Sequence, residues 1–524
     1  MEYIDMNIPG KSIASTLGIL AGLTNVIVMI LALSLIGCTV APLKKIYAPY
    51  VNLERNPVII IPGIKGSELK NNDKKRNVWG GWWQFSKGDF DDLELSIGPN
   101  GSSDSYAIFN VDSNVSATNI FSRWRLFGWF RGMSEIDIYQ NLIDTLVNYG
   151  GFISKNVGIK YDAKGNLIDL IEDNDTKPKG NLFIFYYDWR RDNVLNAVNL
   201  ERFITKVAEK YYPYKEVKFN IVAHSMGGLI TRFYLGYHSF CKQASQKPEN
   251  IYDRIDSIES DKGLPKNIGK VVLLGTPSGG SLEILRGFIS GEGVETLSKG
   301  DVKRIITTMP AAYQLLPSAC TQECFIPLDE DTKITLKKLD NAAACDSVDY
   351  KFSLLNPATW KELQWSAFNP DWRYPDRDEK QLFIKKSLQR AEEFSRLLRK
   401  TDNNTAISDI LRLMGGDCAV TLNKGIIQGR RVLLEQTEME EKMGAIKQQD
   451  SIQEKGFAIS YDVPAKLENN FQPGDGTVTR TSMLKGLKNT NTLFVCQEHG
   501  TLFKDITLQD NMLYELLLKD NPNY

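Results

Sequence analysis

Only three of the 524 residues are histidine. Any acid–base chemistry therefore has few imidazoles to draw on. An excess of charge of one sign is also missing. The 63 Lys and Arg balance 64 Asp and Glu to a net charge of −1, so no global field draws the chain to nucleic acid. No internal repeat or low-complexity tract is present, which excludes solenoids and fibrous arrays. No histidine lies near Cys320 and Cys324, so metal binding is the poorer reading of that pair. No metal or organic cofactor is expected. What remains is ordinary globular composition, 42% hydrophobic and 24% charged, in a chain long enough for two to four domain-sized units.

The N-terminus departs from that composition. Residues 13–36, IASTLGILAGLTNVIVMILALSLI, are free of charge and long enough to span a bilayer. The run ends in LIGC, with Cys38 followed by Thr39, and this resembles the lipobox of bacterial lipoprotein signal peptides. That resemblance implies acylation of Cys38, removal of residues 1–37, and a place on the cell envelope, most simply the outer membrane. The preceding segment has Lys11 as its one basic side chain against two acids, so an uncleaved signal anchor stands as the alternative. Either reading exports the rest. Six further cysteines, at 241, 320, 324, 345, 418 and 496, permit disulfides in that compartment, with Cys320 and Cys324 close enough in sequence to pair locally.

Beyond residue 55 strands and helices alternate. PVIII (57–61), NLFIFYYD (181–188), VKFNIVAH (217–224) and KVVLLGTP (270–277) read as buried parallel strands. A helix capped by Ser134 runs to Gly150 and Gly151, and others cover 194–212 and the segment after Ser225. The fold class is therefore α/β, a mostly parallel sheet with helices on both faces. The rhythm lapses over 291–415, where 378–400 is the clearest helix, and strands return at 456–462 and 491–497. This organises the chain as a first core part at 55–290, a helical cap insertion at 291–415, and a second core part at 416–524.

The stretch FNIVAHSMGGL (219–229) places Ser225 between a strand and a helix, the context of a nucleophile elbow. Ala223 and Gly227 are the small flanks so tight a turn needs, and the Met226 N–H opens the helix toward a developing oxyanion. Of the histidines, His224 faces away in such an elbow and His238 lies in the next helix. His499 follows the last strand and is left as the base. Asp475, in GDGTV, is the orienting acid; a plain hairpin turn is the duller reading, and Asp462 and Glu498 are weaker rivals. The order Ser225, Asp475, His499 is that of α/β-hydrolases. The loop PGIKGSEL (62–69) offers the Ile64 N–H as a second oxyanion donor. In YDWR (187–190) an Asp188–Arg190 ion pair has a structural role. Aromatic and basic residues gather at Trp79, Trp82, Trp83, Trp124 and Trp129, within about 76–133, as a lid that meets lipid; a buried core is the rival reading.

These landmarks, with VWGGWW (78–83), GTPSGGS (275–281), YQLLPS (313–318) and EHG (498–500), fall in one order that resembles the lecithin:cholesterol acyltransferase family. The family includes lysosomal phospholipase A2 and phospholipid:diacylglycerol acyltransferase. The resemblance implies an α/β-hydrolase with a cap inserted late in the sheet. It implies Ser225 as nucleophile, Asp475 as acid, His499 as base, and Ile64 and Met226 at the oxyanion hole. The substrate it implies is a phospholipid acyl ester at a membrane surface, with water or an alcohol as acceptor. An esterase or thioesterase on a non-lipid substrate, and a non-catalytic envelope binding protein, are the other classes.

Overall fold

The computed structural model describes residues 55–517 apart from 81–89, 99–106, 127–133, 172–179, 319–324, 335–352, 435–469 and several shorter stretches. Cys38 and the apolar segment 13–36 lie outside the described residues, as do Trp82, Trp83, Trp129, Cys320, Cys324, Cys345 and the expected strand 456–462. No described helix is long and apolar enough to cross a membrane.

Six parallel strands form the central sheet: β1 (Val58–Ile61), β2 (Leu182–Ile184), β3 (Phe219–His224), β4 (Ile268–Leu274), β5 (Leu411–Gly416) and β6 (Asn491–Val495). Their spatial order is β6-β5-β4-β3-β1-β2. The β-branched run of β1 suits a strand covered on both sides, and all four of its residues are buried. Alternate residues serve opposite faces. Ile59, Ile61, Ile221, Ala223, Val271 and Leu273 join the main apolar cluster with the helices that follow β2 and β3. Ile60, Val222, Val272 and Leu274 are equally buried but outside that cluster, as are Leu508, Met512 and Leu513 of the C-terminal helix Ile506–Leu517. Helices thus cover both faces, and the sheet has the α/β-hydrolase arrangement.

Helix α1 (Asn193–Tyr211) begins where Asp192 accepts a hydrogen bond from the Val194 N–H at 2.7 Å, and ends just before Pro213. Helix α2 (Met226–Gly236) is buried along its whole length. The β4–β5 crossover carries α3 (Lys299–Ile306) and α4 (Arg377–Lys400). Helix α4 has acids in its first turn and bases in its last, both matched to the helix dipole.

Three sequence expectations need correction. First, α4 is part of the core's helical layer. Phe394 stacks on Phe233 of α2 with ring centroids 5.8 Å apart, and the Tyr237 hydroxyl donates to the Leu397 carbonyl at 2.8 Å. Strand β5 lies inside the sheet, between β4 and β6, so the core resumes at Leu411 rather than 416. Its sequence, LRLMGG, hides a central strand because Arg412 and two glycines break the apolar run. Second, Ser134 caps no helix: Ser134–Asp137 is a strand paired with Arg123–Leu126, and the helix starts at Gln140. SEIDI alternates polar and apolar residues with a strand's period of two. Third, Trp79 is no lipid-contacting residue. It is 7% exposed on the strand Arg76–Trp79, its Nε1–H donates to the Lys65 carbonyl at 2.8 Å, and its ring meets Trp189 edge-on at 5.6 Å. Trp124 lies on the strand Arg123–Leu126.

The Asp188–Arg190 ion pair expected from YDWR is present at 2.8 Å, both side chains buried, with Arg191 also on Asp188 at 3.2 Å. A second buried pair joins the helices: the Arg390 Nε of α4 reaches Asp192 at 2.8 Å with neither side chain exposed. Asp192→Ala removes both the cap of α1 and the counter-charge of Arg390. Arg390 keeps Glu393 at 2.9 Å, so denaturant unfolding is expected to show a loss of about 2–3 kcal/mol, from the lost cap and a weakened buried pair. A loss under about 1 kcal/mol would mean that Glu393 alone satisfies Arg390.

Candidate active site

The turn after β3 sets the site. Ser225 holds φ 53° and ψ −125°, a conformation that residues with a side chain rarely adopt. Its N–H donates to the Leu274 carbonyl at 2.8 Å, which ties the turn to the end of β4. Gly227 makes the turn possible: a Cβ there would sit 2.5 Å from the Pro62 carbonyl oxygen. The loop after β1 therefore lies directly against the start of α2.

Parallel strands deliver their carboxyl ends to one edge, and the other two groups arrive there. His499 follows β6 and its Nε2 lies 2.9 Å from the Ser225 Oγ. Its Nδ1 lies 2.7 Å from the Asp475 Oδ2. Asp475 follows the strand Phe471–Gly474, which pairs antiparallel with Ala419–Leu422 just beyond β5. Its other oxygen, Oδ1, accepts from the Val478 and Thr477 N–H groups at 2.7 and 3.1 Å. The carboxylate is thus held on both oxygens, and its side chain is fully buried while His499 is 15% exposed. The His499 N–H also donates to the Asp475 carbonyl at 2.8 Å. Gly416 leaves room for this pair, since a Cβ there would lie 2.0 Å from the Gln497 carbonyl oxygen and 2.8 Å from the Asp475 Cβ. A disulfide joins Cys418 to Cys496, bridging the segments that leave β5 and β6 beside the pair.

Met226 opens α2 and is fully buried, while Ile64 lies in the loop over the serine. Among the described residues neither N–H donates a hydrogen bond within the protein. The Gly63 N–H, by contrast, is taken by the Tyr139 hydroxyl oxygen at 2.7 Å. The same hydroxyl lies 2.8 Å from the His224 Nδ1. The Tyr139 hydroxyl thus bridges the Gly63 N–H and the His224 ring. Sequence reasoning missed Tyr139, which sits in an unremarkable IYQ with no motif around it.

His224 does not simply face away. Its ring lies 4.7 Å from the His499 ring and edge-on to Phe503 at 5.0 Å. Burial first, and the neighbouring His499 charge second, hold it well below the ordinary histidine range, against a smaller opposing effect of the His499 backbone. It is a neutral spacer between Tyr139 and His499. His238 is distant from this chemistry and pairs with Asp261 at 3.1 Å. Glu498 precedes the short helical turn that begins at His499, with no capping bond from its side chain, and Asp462 lies outside the described residues. The described residues contain no group of three or more His, Cys, Asp or Glu placed to hold a metal. Burial pulls the Lys65 ammonium, in the loop after β1, down to about 8.

A sequence model described as lecithin:cholesterol acyltransferase matches residues 151–456, more than half of the chain. The chain belongs to the lecithin:cholesterol acyltransferase family. Ser225 falls inside the matched span, whereas Asp475 and His499 follow it, so their assignment stands on geometry. A curated relative, lecithin-cholesterol acyltransferase-like 4 of Arabidopsis thaliana, is 24% identical over 280 residues, covering 51% of this chain and 44% of that protein. The chain thus matches less than half the length of that relative. Among solved structures, a chain from the crystal structure of the Tle4-Tli4 complex superposes with a TM-score of 0.47 at 16% identity, covering 88% of this chain and 98% of that one.

A histidine kept neutral by the fold makes stability depend on pH. On acidification the unfolded chain takes up a proton at His224 near pH 6.5, while the folded chain does not until its much lower value is reached. Stability is therefore expected to fall as pH drops below about 6.5, with up to about 1.4 kcal/mol per pH unit from this residue. Urea unfolding at pH 7.5 and 5.5 checks it. His224→Gln should show a shallower decline than the wild type, and equal declines would remove His224 as the cause.

Proposed function

We propose that this protein is a serine-dependent lipid acyl hydrolase or acyltransferase, with Ser225 as nucleophile, His499 as base and Asp475 as the orienting acid. The observation that carries the reading is the unbroken hydrogen-bond line from Asp475 through His499 to Ser225, in a chain of the lecithin:cholesterol acyltransferase family. A buried carboxylate fixed on both oxygens sets the His499 tautomer, leaving Nε2 free to take the serine proton.

In this reading the Ser225 Oγ attacks the carbonyl carbon of a phospholipid acyl ester, and its proton passes to His499 Nε2. The negative charge gathers on the carbonyl oxygen, opposite the Ile64 and Met226 N–H groups, each worth roughly 3 kcal/mol in such a role. The ester C–O bond breaks, and His499 protonates the departing lysolipid oxygen. Water or an alcohol then gives its proton to His499, attacks the acyl-serine and restores the free enzyme. Export and attachment through Cys38 would place this chemistry at a membrane surface, with Trp82, Trp83, Trp124 and Trp129 as candidates for lipid contact.

Two measurements test it. A fluorophosphonate should label the wild-type protein and not Ser225→Ala, and Asp475→Asn should lower turnover by about 10,000-fold while leaving the fold intact. The full chain is then given phosphatidylcholine vesicles with an isotopically labelled acyl chain, with and without a sterol or diacylglycerol, and products are read by mass spectrometry. Label in free fatty acid alone identifies a phospholipase, and label on the added alcohol an acyltransferase. Turnover of short soluble esters with none of vesicles would favour an esterase of another substrate class. Products that do not depend on Ser225 would overturn the lipid assignment.

A further inference from the structure

A cavity of about 740 Å³ opens at the β4–β5 crossover, and none of its lining residues belongs to the site around Ser225. That volume is in the range of small-molecule sites. Four cations line it, Lys303 on α3 with Arg373, Arg430 and Arg431, against Asp371 as the one carboxylate among the described lining residues. Trp365, Trp372 and Tyr374 form an aromatic wall, and Leu363 and Val432 add apolar surface.

Three features mark this wall as built for a ligand. Trp365 is 3% exposed, and the Nε1–H of both Trp365 and Trp372 is buried with no acceptor among the described residues. A buried donor left without an acceptor costs about 1–3 kcal/mol, so the fold carries two costly donors in the wall beside the cavity. The backbone around Trp365 is strained, with Gln364 at φ 55° and Ser366 at φ 51°. Non-glycine residues hold such angles only where the surroundings impose them, and they gather at ligand sites. The wall is also fixed from behind. The fully buried Lys380 ammonium lies 5.4 Å from the Trp372 ring centroid and 5.7 Å from that of Tyr374, and is itself held by Asp376 at 3.0 Å and by Glu94.

The cations complement that wall. The Lys303 ammonium forms no ion pair among the described residues. Burial first, then repulsion by Lys299, lower its pKa, with Glu292 opposing. Ser366 is tied to the same helix, its Oγ 2.7 Å from the Thr307 Oγ1, which donates to the Lys303 carbonyl at 2.6 Å. The cation and the strained indole loop therefore keep a set spacing.

We propose that this cavity is a second ligand site, which binds a phosphate-bearing amphiphile. Its phosphate lies against Lys303, Arg373 and Arg430, and its apolar part against Trp365 and Trp372. Guanidinium groups and an ammonium around one volume supply the many charge-assisted donors that phosphate oxygens take. The site is separate from Ser225 and does not rest on the reading of the triad.

Isothermal calorimetry on the full-length Ser225→Ala protein tests this without turnover. Dihexanoylphosphatidylglycerol below its micelle concentration is one titrant and inorganic phosphate the other. The lipid is expected to bind, and Lys303→Gln and Arg430→Glu are each expected to weaken it at least about tenfold, or 1.4 kcal/mol. Arg430 is exposed, so its reversal tests charge without threatening the fold, and Trp365→Phe shortens the aromatic wall. Unchanged ligand-free melting temperatures exclude unfolding as the cause. Inorganic phosphate binding as tightly as the lipid, with the same losses in the variants, would support the phosphate site and overturn the lipid as its source. Lipid affinity unchanged in all three variants, or no binding of either titrant, would overturn the proposal.

Discussion

The tight turn at Ser225 is the constraint on which the rest of the site depends. A side-chain-bearing residue held at positive φ costs on the order of 1–3 kcal/mol, and it persists only where its surroundings over-determine it. Here they do. Strand β3 and helix α2 are buried throughout, so neither end of the turn can relax outward. The Ser225 N–H is fixed on Leu274 at the end of β4. Gly227 fits beneath the Pro62 carbonyl only because it lacks a Cβ. The same close approach that strains the serine brings the loop carrying Ile64 over it, so strain at one residue and placement of the neighbouring N–H groups have a common origin.

Asp475 and His499 reach that turn by a different route. Ser225 and His499 are 274 residues apart, and only the parallel register of β3, β4, β5 and β6 brings their segments to one edge. Asp475 is not on a sheet strand. It stands at the end of a short antiparallel ribbon that starts one residue beyond Cys418, whose disulfide to Cys496 joins the exits of β5 and β6. A loop residue placed in this way gains the rigidity of the sheet without being part of it. The second oxygen of Asp475, bound by two backbone N–H groups, removes the remaining rotation. Tyr139 and His224 act on the opposite side, between the loop after β1 and the His499 ring.

What could be read from sequence follows from how local each signal is. Continuous apolar runs announced β1, β3 and β4, and the strand–serine–glycine–helix pattern announced the turn, because a few adjacent residues carry both features. Strand β5 was missed because Arg412 interrupts it. That arginine is 9% exposed and paired with Glu515 at 2.8 Å, a compensation from 103 residues away that no window of sequence contains. Trp79 was misplaced for the same reason, since an aromatic cluster reads alike whether it faces lipid or, as here, Trp189. Tyr139 carries no signal at all: its hydroxyl matters only once Gly63 and His224 lie beside it.

Helix α4 links the layer packed on α2 to the cavity lined by Trp372 and Tyr374. Its middle is fixed to the start of α1 by the Arg390–Asp192 pair, and its first turn holds Lys380 behind Trp372 and Tyr374. Buried ion pairs of this kind add little net stability, because desolvation offsets much of the attraction. Register is their better-attested use. An apolar helix face can slide by a turn with modest loss, but a buried guanidinium cannot leave its carboxylate. With Arg390 pinned on Asp192, the position of Lys380 along the helix is set as well, and through it the aromatic wall. The crossover between β4 and β5 is thus not a cap laid over a finished core. One rigid helix fixes the layer packed on α2 and the wall of a cavity outside the triad, which explains why charges so costly to bury are kept there.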